Sequence, residues 1–154
     1  MIEPRSLEDP KVMQLKTVLL EWINEELADK RIVVRNVEED LYDGLILAHL
    51  MGKSMHTIIY FFQAKLSVLI GEINKVLLVP QHRAKWTPER IHSKDTVAIL
   101  HLLVALARHF NNQKKLTPDV KIHTMHVQKK GGVLVPQRVI EEITGPDHEY
   151  VIFY

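Results

Sequence analysis

The chain has 154 residues, 46% hydrophobic and 25% charged, which suits one globular domain with a real core; two full domains do not fit comfortably, and disorder throughout is not expected. The formal charge of +1 is too small an excess for a dedicated nucleic-acid binder; it permits an acidic partner without demanding one. The absence of cysteine excludes disulfides, thiolate zinc sites and cysteine nucleophiles.

Residues 1–10 hold two prolines and several charges and read as an extended lead-in, with Asp9-Pro10 as the entry to a first helix. No apolar stretch opens the chain, so no signal peptide is expected. The spacing of Val12, Leu15, Leu19, Trp22 and Ile23 predicts a helix over 11–28, docked on the core through that stripe with Trp22 as its largest anchor. Residues 31–34 read as an extended connector, because no partner strand follows. Asn36 with Glu39 three residues on resembles a capping box and predicts a short helical turn.

A second buried helix is expected from Leu45 to about Met51, with Gly44 at a bend or a close backbone approach. The run Ile58-Ile59-Tyr60-Phe61-Phe62 is ambiguous between strand and buried helix. Helical spacing returns from 64 to 78 and Pro80 stops it. The most apolar region, 55–79, is interrupted by Lys65, Glu72 and Lys75, so no membrane span is expected.

Residues 81–92 read as a polar surface loop, Ser93 as the cap of the next helix, and Asp95 as a residue of its first turn. The stretch 96–110 is apolar on nearly every face, with His101 its only mid-helix polar residue; such a helix belongs at the centre of a domain. After Asn111-Asn112 an alternating stretch spans 120–127, Gly131-Gly132 breaks the chain, 138–143 reads as one short helix, and the residues beyond Gly145-Pro146 read as a loose tail.

Several blocks carry a family resemblance. They are Leu20-Glu21-Trp22-Ile23-Asn24 and Val37-Glu38-Glu39-Asp40-Leu41-Tyr42-Asp43-Gly44, then Gly71-Glu72-Ile73-Asn74-Lys75-Val76-Leu77 with Ala84-Lys85-Trp86, then Ile91-His92-Ser93-Lys94-Asp95-Thr96 running into the aliphatic helix. A looser match covers Val127-Gln128-Lys129-Lys130 and Ile140-Glu141-Glu142-Ile143-Thr144. Together they resemble the first calponin-homology domain of the parvins, actin-linked adaptors of cell–matrix adhesions. The resemblance implies an all-α fold, a compact helical globule around a buried central helix with an extended C-terminal linker. It divides the chain into a lead-in at 1–10, the domain at 11–112, and a linker-like segment and tail at 113–154. Residues 51–66 depart from the family, being short and apolar, and can leave Ile58, Ile59, Phe61 and Phe62 uncovered. The family's second domain is missing, so the chain resembles a truncated or alternatively spliced form. Integrin-linked kinase and paxillin, held by that second domain in the family, are not carried over as partners.

In related domains the first helix and the segment around the last core helix supply actin contacts; here these map to 11–27 and 86–110. The candidate actin-binding residues are Lys11, Lys16, Lys85, Trp86, Arg90 and Lys94. Arg83 joins the basic set, an ordinary solvated face explains it equally well, and Trp86 either anchors a partner or closes the core. The expected partners are F-actin and adhesion or signalling adaptor proteins, at the cytoplasmic face of adhesions. The alternative is an adaptor that recruits a partner such as a small-GTPase exchange factor without touching actin. No enzyme is expected. Ser93, His92 and Asp95 have the residue types of a hydrolase triad but are adjacent in sequence, and no nucleophile elbow or phosphate loop occurs. No metal or cofactor is expected: the nine histidines form no His-Glu-x-x-His motif, and Asp40 and Asp43 read as helix-start residues.

Overall fold

A computed structural model describes residues 2–52, 65–111 and 113–145. The ambiguous run 58–62, most of the divergent stretch 51–66 and the tail after Gly145 lie outside the described residues.

The lead-in is structured. Pro4–Leu7 forms a helical turn, α1, and α2 follows at Pro10–Glu26. Asp9 caps α2 by accepting from the Lys11 amide at 2.9 Å, and Pro10 fits the first turn, where no amide donor is needed. The stripe Val12, Leu15, Leu19, Trp22 and Ile23 is buried, as the periodicity predicts. Beyond a 3-10 turn at Ala28–Lys30 the chain runs extended. Its missing strand partner is replaced by a side chain: Asn24 Nδ2 donates to the Val34 carbonyl at 3.0 Å, and Asn24 Oδ1 accepts from the Val34 amide at 2.7 Å.

Asn36 caps α3 (Val37–Leu41), accepting from the amides of Glu38 and Glu39. The reciprocal arm expected of Glu39 comes instead from Asp40, whose Oδ2 accepts from the amides of Arg35 and Asn36. Gly44, at φ +86°, opens α4 (Leu45–Leu50). α5 (Leu66–Leu77) buries Leu69, Ile70 and Ile73 and ends on Leu78 in the left-handed region.

The segment 81–92 is not a plain surface loop. It holds a 3-10 turn at Gln81–Arg83 and α6 (Pro88–His92), capped by Thr87, and it sends Trp86 and Ile91 into the core. Asp95, not Ser93, caps α7 (Thr96–Phe110): Asp95 Oδ1 accepts from the amides of Val97 and Ala98, while Ser93 Oγ donates back to the Arg90 carbonyl. α7 is the central rod, contacted by α2, α3, α5 and α6. Each of its buried Leu, Ile and Val side chains stabilises the fold by about 1.5–3 kcal/mol.

The all-α expectation is corrected at the C-terminal end. Lys121–Lys130 (β1) and Val133–Glu142 (β2) pair antiparallel, from Lys130↔Val133 at the turn to Lys121↔Glu142 at the base. The stretch 138–143 is thus mostly strand, because Val139 and Ile140 suit a ladder and Gly131-Gly132, both at positive φ, supplies the two-residue turn that closes it. The base of the hairpin is integral to the domain. Val120, Ile122 and Ile143 join the core cluster, and the Ile143 amide donates to the Val120 carbonyl at 2.8 Å. The N-terminal segment docks on β1: Ile2 bridges to Thr124, the Glu3 amide donates to the His123 carbonyl, and Ser6 Oγ accepts from the His123 amide. Among the described residues, no helix is long and apolar enough to cross a membrane.

Candidate interaction surface

The core consumes one face of α2 and nearly all of α7, so the polar residues left at their margins make up the surface available to a partner. Lys11, Met13, Gln14, Thr17 and Glu21 form the exposed face of α2. Around α6, Thr87, Glu89, His92, Ser93 and Lys94 are exposed.

Three of the six candidate contact residues come together where α2, α3 and the start of α7 meet. Lys16 Nζ donates to Glu38 Oε1 at 2.6 Å, and Thr96 Oγ1 donates to the same oxygen at 2.8 Å. Burial alone pushes the Glu38 pKa up. The hydrogen bonds from Lys16 and Thr96 and the Lys16 charge outweigh it, holding the carboxyl below its ordinary value. Lys94 Nζ donates to Glu39 Oε2 at 2.8 Å and lies 4.8 Å from the centre of the Tyr42 ring, which meets His92 edge-on. The hydrogen bond that Lys94 donates to Glu39 raises the Lys94 pKa. Arg90 Nε donates to Asp95 Oδ2 at 2.9 Å, and one of its terminal nitrogens donates to the Lys85 carbonyl at 3.2 Å. Burial of Asp95 works against its ionisation, but the Arg90 bond and charge and the two capped amides prevail, so its pKa is also lowered.

These cations therefore brace the α3–α7 junction as well as facing solvent. The sequence pattern identified them but missed their acidic partners. Glu38-Glu39-Asp40 reads as a helix start, and only the fold brings it beside residues 90–96. Lys11 lies apart, 3.7 Å from Asp119 in an exposed pair. Lys85 is half-buried. Trp86 is a correction: it is 2% exposed and its indole nitrogen donates to Asn74 Oδ1 at 2.8 Å, so it closes the core and offers no surface to a filament. It forms the inner wall of an open cleft between α5 and α6, edged by Gly71, Asn74, Leu78, Gln81 and Glu89.

The described residues hold no cluster of three or more His, Asp or Glu that can grip a metal ion. Ser93, His92 and Asp95 do not converge as a triad: the Ser93 hydroxyl is turned to the Arg90 carbonyl and Asp95 serves its cap and Arg90.

The calponin homology (CH) domain model matches residues 13–112. Beta-parvin of Mus musculus is 39% identical over 153 residues, covering 94% of this chain and 42% of that protein. Gamma-parvin of Homo sapiens is 35% identical over 152 residues, covering 93% and 46% respectively. Paralyzed arrest at two-fold protein 6 of Caenorhabditis elegans is 36% identical over 145 residues, covering 88% and 39%. The parvin resemblance read in the sequence is borne out by these alignments, and the chain spans less than half the length of these relatives. No solved structure matches the chain.

Proposed function

The chain belongs to the calponin homology (CH) domain family, and on that premise we propose that it is an actin-binding adaptor module that couples cell–matrix adhesions to the cytoskeleton. The match across residues 13–112 is the observation that carries this reading. It is supported by the way the domain spends its side chains: α7 and the stripe of α2 are consumed by the core, and the polar margins of α2 and α6 remain open to a filament. The action is recognition by surface contact, with no bond made or broken. Lys11, Lys16, Lys85, Arg90 and Lys94 are the proposed contacts, at the cytoplasmic face of adhesions. A module of this kind taken alone binds weakly, because a linked second module raises the effective concentration.

Co-sedimentation with actin filaments tests the proposal. The expected result is pelleting with a micromolar or weaker affinity that declines as salt rises. Lys11→Gln lowers it without moving the melting midpoint, since the Lys11 pair with Asp119 is exposed and contributes little to stability. Absence of pelleting at low salt overturns the reading.

A second reading is an adaptor that recruits a signalling partner, such as a small-GTPase exchange factor, without touching actin. The observation favouring it is that Lys16, Arg90 and Lys94 each bond a carboxylate within the domain, which reduces the positive field a filament meets. Absence of filament pelleting at low salt, together with capture of such a factor, supports it.

A further inference from the structure

The distal half of the hairpin is chemically unlike the rest of the surface. From His126 to Arg138 the ribbon contains no acidic residue. Lys129 and Lys130 lead into the Gly131-Gly132 turn, and neither makes an ion pair among the described residues. Beside them Val127, Val133 and Leu134 are 64%, 63% and 69% exposed, although aliphatic side chains elsewhere in the domain are mostly withdrawn into the core. The register places Lys129 opposite Leu134 and Lys130 opposite Val133. Directly opposed residues share a face, so each face of the ribbon ends in one lysine and one aliphatic side chain.

We propose that this tip is a docking element for an anionic phospholipid surface, with Val133 and Leu134 entering the headgroup region beside Lys130 and Lys129 at the level of the phosphates. The argument is charge complementarity joined to the kind of apolar surface on offer. An interface with another protein concentrates its affinity in Trp, Tyr and Arg seated in pockets, and the tip has no aromatic residue. A bilayer interface takes up convex aliphatic side chains without shape matching and draws cations to its surface. The ladder up to the turn satisfies the inward-facing backbone groups, so shallow entry does not strip them of partners. Filament binding is not needed for this inference, which stands on the hairpin alone.

The test is partition of the full chain onto sedimenting vesicles of phosphatidylcholine, with and without phosphatidylserine. Binding is expected to require phosphatidylserine. Lys129→Gln with Lys130→Gln lowers it about tenfold or more, at about fivefold per lysine. Val133→Ser with Leu134→Ser also lowers it about tenfold or more, through lost apolar contact. All four side chains are exposed, and thermal melting of each variant against the parent verifies that the fold is intact. Equal binding to neutral vesicles, or unchanged binding after the serine substitutions, overturns the proposal. So does the absence of vesicle binding in a chain whose filament pelleting falls with these same substitutions, which assigns the tip to actin.

Discussion

Trp86 and Asn74 are joined by a single hydrogen bond, from indole Nε1 to amide Oδ1 at 2.8 Å, which ties the segment before α6 to the middle of α5. The tryptophan stands among polar and basic residues in the chain, yet this bond satisfies its only polar atom and lets the ring be buried.

Asn74→Ala leaves the indole N–H buried without a partner and is expected to destabilise the domain by about 1–3 kcal/mol. Trp86→Ala removes the ring as well and costs about 3–5 kcal/mol. Urea unfolding measures both. Because Trp86 is only 2% exposed, the folded fraction of the Asn74→Ala protein is expected to keep its filament affinity. A specific loss of that affinity with unchanged stability returns Trp86 to the binding surface.

Gly44 is the position where the backbone itself demands glycine. Its φ is +86°, and an added Cβ lies 2.7 Å from Leu66 Cδ1 and 2.9 Å from Leu69 Cδ2. Gly44→Ala therefore combines left-handed backbone strain with displacement of two leucine tips that seat α5, a loss of about 2–4 kcal/mol. The expected result is a lower melting midpoint with a cooperative transition retained. A midpoint equal to that of the parent contradicts the close approach.

His101 makes the domain sensitive to mild acid. It is 6% exposed on α7, with Nε2 3.4 Å from Glu141 Oε2 on β2. Burial, followed by the Lys85 charge, pushes its pKa down to about 4; the charge and hydrogen bond of Glu141 oppose this without prevailing, and Arg90 adds to the lowering. The folded pKa is below the ordinary 6.5, so the unfolded chain binds more protons between these values and stability rises with pH there. The contribution is complete above about 6.5 and is lost as pH falls toward 4. His49, lowered by burial and by Lys30, works in the same direction, whereas Glu38 and Asp95 lose their contributions only at lower pH, below their ordinary 4.5 and 3.8. The melting midpoint is expected to fall between pH 6.5 and 4.5, with a shallower fall in His101→Leu. An unchanged slope in that variant removes His101 as the cause.

What the sequence determined by itself are the features set within a few residues of each other. The α2 stripe, the buried rod of α7, the caps at Asp9 and Asn36 and the bend at Gly44 follow from helical periodicity, short side-chain reach and the conformational freedom of glycine, and all were legible before any coordinates. What tertiary structure decided are the pairings between distant residues. Arg138 to Glu142 mixes charges with Val139 and Ile140 and reads as a helical turn until β1 presents a ladder. Asp95 displaces Ser93 as the α7 cap while also holding Arg90, and Glu39 leaves the capping box to Asp40 while holding Lys94, because each carboxylate settles where it satisfies the most donors. Trp86 and His101 take their roles from Asn74 and Glu141, which are 12 and 40 residues away along the chain. Local spacing records backbone geometry, but burial and charge compensation depend on which segments meet in three dimensions.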